Sequence, residues 1–191
     1  MKRTVIPFII SLLAFVSCNQ TGRIVTDTPI KTNILGIELC KKMSSDEVSD
    51  ALMKNTDKFF VTMPEKNGTS EVYRSIPLGI NFNFGGMSWS YIDVGVTKDK
   101  VVYTVYLVGS YESVESAKQQ YDSAVEVFTQ KYGKGNTTEE GVTFWTDNVN
   151  SIGLRYSASS ALNGADRSFC KLYYINIELG KKIEEEKQLD I

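Results

Sequence analysis

The chain contains no histidine. That removes Ser-His-Asp and Cys-His nucleophilic catalysis, the commonest general base, and nearly all zinc sites. Any acid–base work would fall on Asp, Glu, Lys or Tyr. No phosphate loop is present either. Gly133-Lys134 lacks the earlier glycine the motif requires, since position 128 is Phe, and Gly133-Lys134-Gly135-Asn136-Thr137-Thr138 misses the last glycine of a dinucleotide fingerprint. Both stretches read as a helix stop and a loop. Asp147-Asn148-Val149-Asn150 places Val149 where a calcium loop needs Asp or Asn, and the closing Glu is missing, so it reads as a turn. Neither charge sign dominates, with 21 Lys+Arg against 23 Asp+Glu. A nucleic-acid partner demands a basic footprint that this chain lacks. No metal and no cofactor is implied.

Long hydrophobic runs are also missing. The longest, Val5 to Val16, is broken by Pro7 and Ser11. It spans about a dozen residues, short of the ~20 a membrane-crossing helix needs. Lys2 and Arg3 precede it and small Ser17 follows, which is the pattern of a cleaved secretory signal. The closing Phe15-Val16-Ser17-Cys18 resembles the lipobox of bacterial lipoprotein precursors, with Phe15 where that family usually has Leu. The resemblance implies cleavage before Cys18, acylation of Cys18, and a lipid-anchored, extracytoplasmic protein on the envelope of a Gram-negative cell, with the outer membrane as the expected site. Several acyl chains at ~0.8 kcal/mol per buried methylene hold stably where one would be marginal. Loss of residues 1–17 leaves 19 basic and 23 acidic residues, a net charge of −4.

With Cys18 acylated, two cysteines remain, Cys40 and Cys170. Each lies in a strand-like run, off its main apolar face. Two independent half-buried thiols are the preferred reading; a Cys40–Cys170 disulfide is the alternative if the two strands are neighbours.

Along the rest of the chain, 18–33 is polar and aperiodic and reads as a flexible tether with a reach of about 20 Å. Residues 34–180 then read as one α+β domain. A first strand covers 34–40. Ser44 to Glu47 matches a capping box, and Val48, Ala51 and Leu52 follow at helical spacing, predicting a helix over 45–54. Asp46, Glu47 and Asp50 have the look of paired hydrolytic carboxylates, but in a first helical turn they serve the dipole. Phe59 to Met63 is extended and should stop at Pro64, and Pro77 suggests an edge or bulge. Ile80, Phe82 and Phe84 alternate, Gly85-Gly86 turns the chain, and 87–96 and 101–109 pair through the loop 97–100. Val114, Ala117, Tyr121, Val125, Phe128 and Tyr132 form one helical stripe between an N-cap at Ser113 and a stop at Gly133. Strands near 141–146, 151–157 and 169–179 follow, with a polar loop over 158–168. The charged tail, 181–191, is a surface helix or frayed.

The order implies antiparallel meanders with helices packed on one face, with a tandem helix-then-strands duplication over 34–110 and 111–180. Gly36-Ile37 and Ser45-Asp46-Glu47-Val48 open a stretch, 34–110, whose element order resembles the helix-plus-meander module of the small barrel-assembly lipoprotein and of the β-lactamase inhibitor protein. Those modules bind other proteins through a concave sheet. The resemblance implies a non-enzymatic protein-binding or envelope-assembly module, with an inhibitor or carbohydrate-binding accessory as the alternative; the partner would be a protein or glycan. The residues themselves offer one binding feature. Ile92, Val94 and Val96 would share a face with Val101, Tyr103 and Val105, leaving Trp89, Tyr91, Asp93, Thr104 and Tyr106 on the other. Trp and Tyr are favoured interface anchors. The preferred alternative is that these rings cover the sheet or build a second small core.

Overall fold

Residues 24–157 and 167–189 are described by the computed structural model of the chain. The predicted signal segment, Cys18, the start of the tether and most of the 158–168 loop lie outside the described residues.

The expected first strand is two very short ones, β1 (Asn33–Ile34) and β2 (Ile37–Glu38), joined by a tight hairpin. Leu35 and Gly36 both hold positive φ, 54° and 83°, as a two-residue type I′ turn requires. Alternation of Leu35, Ile37 and Leu39 disguises this turn as a strand. The segment after it runs beside the start of a later strand, with the Cys40 N–H donating to the Val102 carbonyl at 2.8 Å.

Helix α1 (Ser45–Thr56) forms where expected. Its capping box is complete: the Glu47 N–H donates to Ser44 Oγ and the Ser44 N–H to Glu47 Oε2. Those bonds hold the Glu47 carboxyl below its ordinary range. Val48 and Leu52 are fully buried beneath it.

Strands β3 (Phe60–Asn67), β4 (Ser70–Pro77), β7 (Tyr91–Thr97) and β8 (Val102–Tyr111) form an antiparallel meander, interrupted between β4 and β7 by the hairpin β5 (Phe82–Phe84) and β6 (Met87–Trp89). Pro64 does not stop β3. It faces Tyr73 across the ladder, and its missing N–H falls on the outer side of an edge strand. Pro77 lies past the last residue of β4 that pairs with β7, so no donor is demanded there.

Helix α2 (Val114–Tyr132) has the predicted Ser113 cap, and Gly133 ends it. Ala117, Ala124, Phe128 and Tyr132 are buried, with Tyr121 and Val125 packed partly against the same core. A second meander follows: β9 (Asn136–Thr137), β10 (Thr143–Thr146), β11 (Asn150–Ser157) and β12 (Ser168–Asn176). The sheet order is β3-β4-β7-β8-β12-β11-β10-β9. Each half is thus a helix followed by an antiparallel meander, and the halves join last strand to last strand. Both α1 and α2 cover one face with the β5–β6 hairpin, over a core that includes Trp89, Trp145, Ile92, Val94, Leu107 and Leu172.

The C-terminal strand is shorter than its sequence suggests. Asn176 Oδ1 accepts the Leu179 N–H at 3.1 Å, capping a helix that starts at once, α3 (Ile177–Leu189). Ile177 and Ile183 are buried, so the start of the charged tail belongs to the fold. Among the described residues, no helix is long and apolar enough to cross a membrane.

Residues 24–31 are not a free tether. Asn136 clamps Ile24 through both its side-chain oxygen and nitrogen, and the Thr26 N–H donates to the Thr146 carbonyl on the outer side of β10. Ile30 enters the core, its N–H donating to Asp147 Oδ2 at 2.8 Å. Asp147 Oδ1 accepts the N–H groups of Val149 and Asn150, so one carboxylate closes the β10–β11 turn and fastens the N-terminal strap. Replacing Asp147 by Ala should therefore cost about 1.5–3 kcal/mol in denaturant unfolding. Amide exchange at Thr26 and Ile30 should accelerate while α1 stays protected. Unchanged exchange along the strap would contradict this anchoring role.

Candidate functional site

The two faces of the large sheet differ because of two local breaks. At Ser90 the chain leaves the β5–β6 hairpin and enters the sheet; the Ser90 N–H donates to the Val108 carbonyl, and Ser90 Oγ accepts the Ser110 N–H. This break reverses parity, so Trp89 and Tyr91 do not share a face. Further on, a β-bulge at Gly95/Val96 inserts an extra residue on β8. Val96 then pairs with Val102, and Tyr103 crosses to the face of Thr104 and Asp93. Gly95 makes room for it: a Cβ there would lie 2.5 Å from Thr104 Cγ2 and 2.8 Å from the Tyr103 ring.

The candidate aromatic surface is consequently dispersed, and the preferred reading of a second small core holds for Tyr106. Trp89 is fully buried in the main core, its Nε1–H donating to the Phe84 carbonyl at 3.1 Å. Tyr106 is buried in a second small cluster with Val108, Val142, Phe144, Tyr173 and Ile175. Its ring lies 4.5 Å from that of Tyr173, and the Tyr173 hydroxyl donates to the Tyr106 hydroxyl oxygen. Tyr91 is half-buried at the margin of that cluster, with the Arg74 guanidinium 5.6 Å from its ring centre. Of the three, only Tyr91 retains surface.

Cys40 and Cys170 are free thiols, the first exposed and the second buried. Cys40 lies beside Val102 at the start of β8, and Cys170 opposite Gly109 toward its end. Seven residues of strand separate those positions by roughly 23 Å, far beyond the ~7 Å a disulfide tolerates. Burial pushes the Cys170 thiol up to about 12. The Cys40 thiol is also raised, first by partial burial and then by Glu178 and Glu38.

A buried charge pair lies within the second face. Arg74 Nε and Nη2 donate to the two Asp93 oxygens, each at 3.0 Å. Asp93 is 3% exposed, and the outer side of the guanidinium meets Glu65 at 3.6 Å. Burial raises the Asp93 pKa despite Arg74, which opposes that rise, while Asp93 holds Arg74 firmly charged. Asp93 also borders a cavity of about 20 Å³ with Gly95, Tyr103, Tyr106 and Tyr173, room for roughly one water. The buried Tyr103 hydroxyl stands near Ser70 without reaching hydrogen-bond geometry. Among the described residues, no group of three His, Cys, Asp or Glu side chains is placed to hold a metal.

A run of exposed apolar side chains lies elsewhere, on the β3 end of the sheet. Phe59, Val61, Met63, Ile76, Leu78 and Ile80 are between 39% and 73% exposed. Val61 faces Ile76 across the ladder, and the Leu78 N–H donates to the Phe59 carbonyl at 2.8 Å. That bond sets the alternation. Odd-numbered residues of β3 turn their backbone groups toward β4, and Phe60, Thr62, Pro64 and Lys66 turn theirs outward. Among the described residues, no strand pairs with this outer side. Its far half carries Pro64, Glu65 and Lys66, which discourage pairing; Phe59 to Met63 carry no such guard. The sequence shows Phe59 to Met63 as apolar, but only the sheet order reveals it as an edge.

Removing one partner of the Arg74–Asp93 pair strands a buried charge. Arg74→Leu should cost about 3–5 kcal/mol at pH 7, and Arg74→Leu with Asp93→Leu should recover most of it. The sign with pH follows from the raised carboxyl. Between its unfolded and folded pKa the native state binds more protons, so stability falls as pH rises through that window. Without Arg74 the window extends upward, so the single variant should lose less at pH 5 than at pH 7 in urea titrations. A deficit independent of pH would contradict the assignment. Compared with known proteins, the chain matches no family model, no curated protein and no solved structure.

Proposed function

We propose that the chain is a non-enzymatic binding module of the cell envelope, held by an acylated Cys18, that engages protein through the β3 edge. The observation that carries this reading is the apolar row Phe59, Val61 and Met63, backed by Ile76 and Leu78, on a strand with outward-facing backbone donors and acceptors. Exposed apolar patches beside an unpaired edge are the usual substrate of strand addition, in which backbone bonds supply affinity and alternate side chains supply selectivity. At the opposite edge the chain's own Thr26 and Ile24 bond to Thr146 and the Asn136 side chain, so among the described residues β3 is the longer unpaired edge of the large sheet. The tandem helix-plus-meander order supports an assembly or inhibitor-like role over a catalytic one, and the missing histidines argue the same way.

Two measurements check the two parts. Cys18→Ala should move the protein from the membrane to the soluble fraction; unchanged partitioning would remove the anchor. Crosslinking in the native envelope should capture protein through this edge. Val61→Lys with Met63→Lys should cut the captured amount at least tenfold while the circular dichroism spectrum is unchanged. Undiminished capture would place the binding surface elsewhere.

A further inference from the structure

The row on β3 is complementary to itself. Its outward backbone groups belong to Phe60 and Thr62, symmetrically disposed about Val61. A second copy laid antiparallel and centred on Val61 would set Phe60 of each chain opposite Thr62 of the other, and each such pair exchanges both of its backbone hydrogen bonds. On the exposed face, Val61 then meets Val61 and Phe59 meets Met63. Ile76 and Leu78 stand in the next row of each copy. Pro64 has no N–H to offer and falls opposite Lys58, so pairing ends there. Asp57, at φ 54°, has already left extended geometry. Asp57 of one copy then falls opposite Glu65 of the other with Lys58 beside it, so charged residues bound the uncharged row at both ends.

Closure is also determined. A sheet with two bare edges would add copies without limit. Here the β9–β10 edge is short and occupied: Thr26 bonds to Thr146, and Asn136 holds Ile24. Among the described residues, pairing through β3 therefore leaves no long unpaired edge on the large sheet, and assembly stops at two.

We infer that the chain forms a closed two-fold dimer by antiparallel β3–β3 pairing, with Val61 opposite Val61. This rests on the reading of the β3 edge as an interaction surface and names a second copy as its occupant.

The register makes the test specific. In the full chain carrying Cys18→Ser and Cys40→Ser, Cys170 is the remaining native thiol and is buried. Val61→Cys in that background should form a covalent dimer on mild oxidation, because opposed residues of a non-hydrogen-bonded pair have Cα atoms about 4.5 Å apart. Phe59→Cys or Met63→Cys alone should each give less than a tenth of that yield, whereas the two variants mixed should cross-link to one another. Sedimentation over about 1–100 μM should show a monomer–dimer equilibrium. Thr62→Pro, whose lost N–H points away from β4, should shift it at least tenfold toward monomer without altering the monomer's melting temperature by more than a few degrees. Monomer throughout, or equal cross-linking at all three positions, would overturn the dimer. If the chain stays monomeric while Val61→Lys still abolishes capture of another protein, the edge is a binding surface and its occupant is not a second copy. If the dimer forms and capture ignores Val61→Lys, the dimer stands and the broader binding reading falls.

Discussion

The antiparallel pairing of β8 with β12 holds the molecule together as one sheet. Each strand closes its own meander, and the ladder from Thr104–Ile175 to Tyr111–Ser168 joins them along nearly their whole length. Leu107 faces Leu172 on the helix-covered side, and Tyr106 faces Tyr173 on the other. The Thr104 hydroxyl adds a bond to the Tyr174 carbonyl at 2.9 Å. Helix α2 packs across β11, β12 and β8, so it ties the second half to the first from above. Weakening this seam would divide the core into two portions, each too small to bury its own apolar face.

The two sheet ends receive opposite treatment. One is closed with a strap, a two-residue strand and the Asp147 carboxylate. The other ends on β3, guarded by proline and charge over half its length and bare over the remainder. Closing an edge satisfies its backbone groups; leaving one open exposes donors, acceptors and apolar side chains together. That asymmetry leaves one end of the sheet strapped and, among the described residues, the other end open.

Long periodic features were legible in the sequence. The α2 stripe, both helix caps, the 97–100 hairpin loop and the helix-then-meander duplication each arise from local periodicity or capping chemistry, and the α+β class follows from their order. Where side-chain faces differ from the expected ones, the chain carries a break that resets parity. Leu35-Gly36 hid a turn inside an alternating run, Ser90 inverted the relation of Trp89 to Tyr91, and the bulge at Gly95/Val96 moved Tyr103 between faces. A slip of one residue exchanges every side chain between faces. The strap was invisible for a different reason, since its partners Asn136, Thr146 and Asp147 lie more than a hundred residues away. The edge character of β3 likewise belongs to topology.

Residue-resolved amide exchange measured against protein concentration tests most directly whether the open half of β3 pairs with a second copy. In dilute solution, the amides of Val61 and Met63, bonded to β4, should be protected, and those of Phe60 and Thr62 should exchange as exposed groups. At high concentration Phe60 and Thr62 should become protected while Lys66 does not. Protection of Phe60 and Thr62 already in dilute monomer, or exchange indifferent to concentration, would contradict the account.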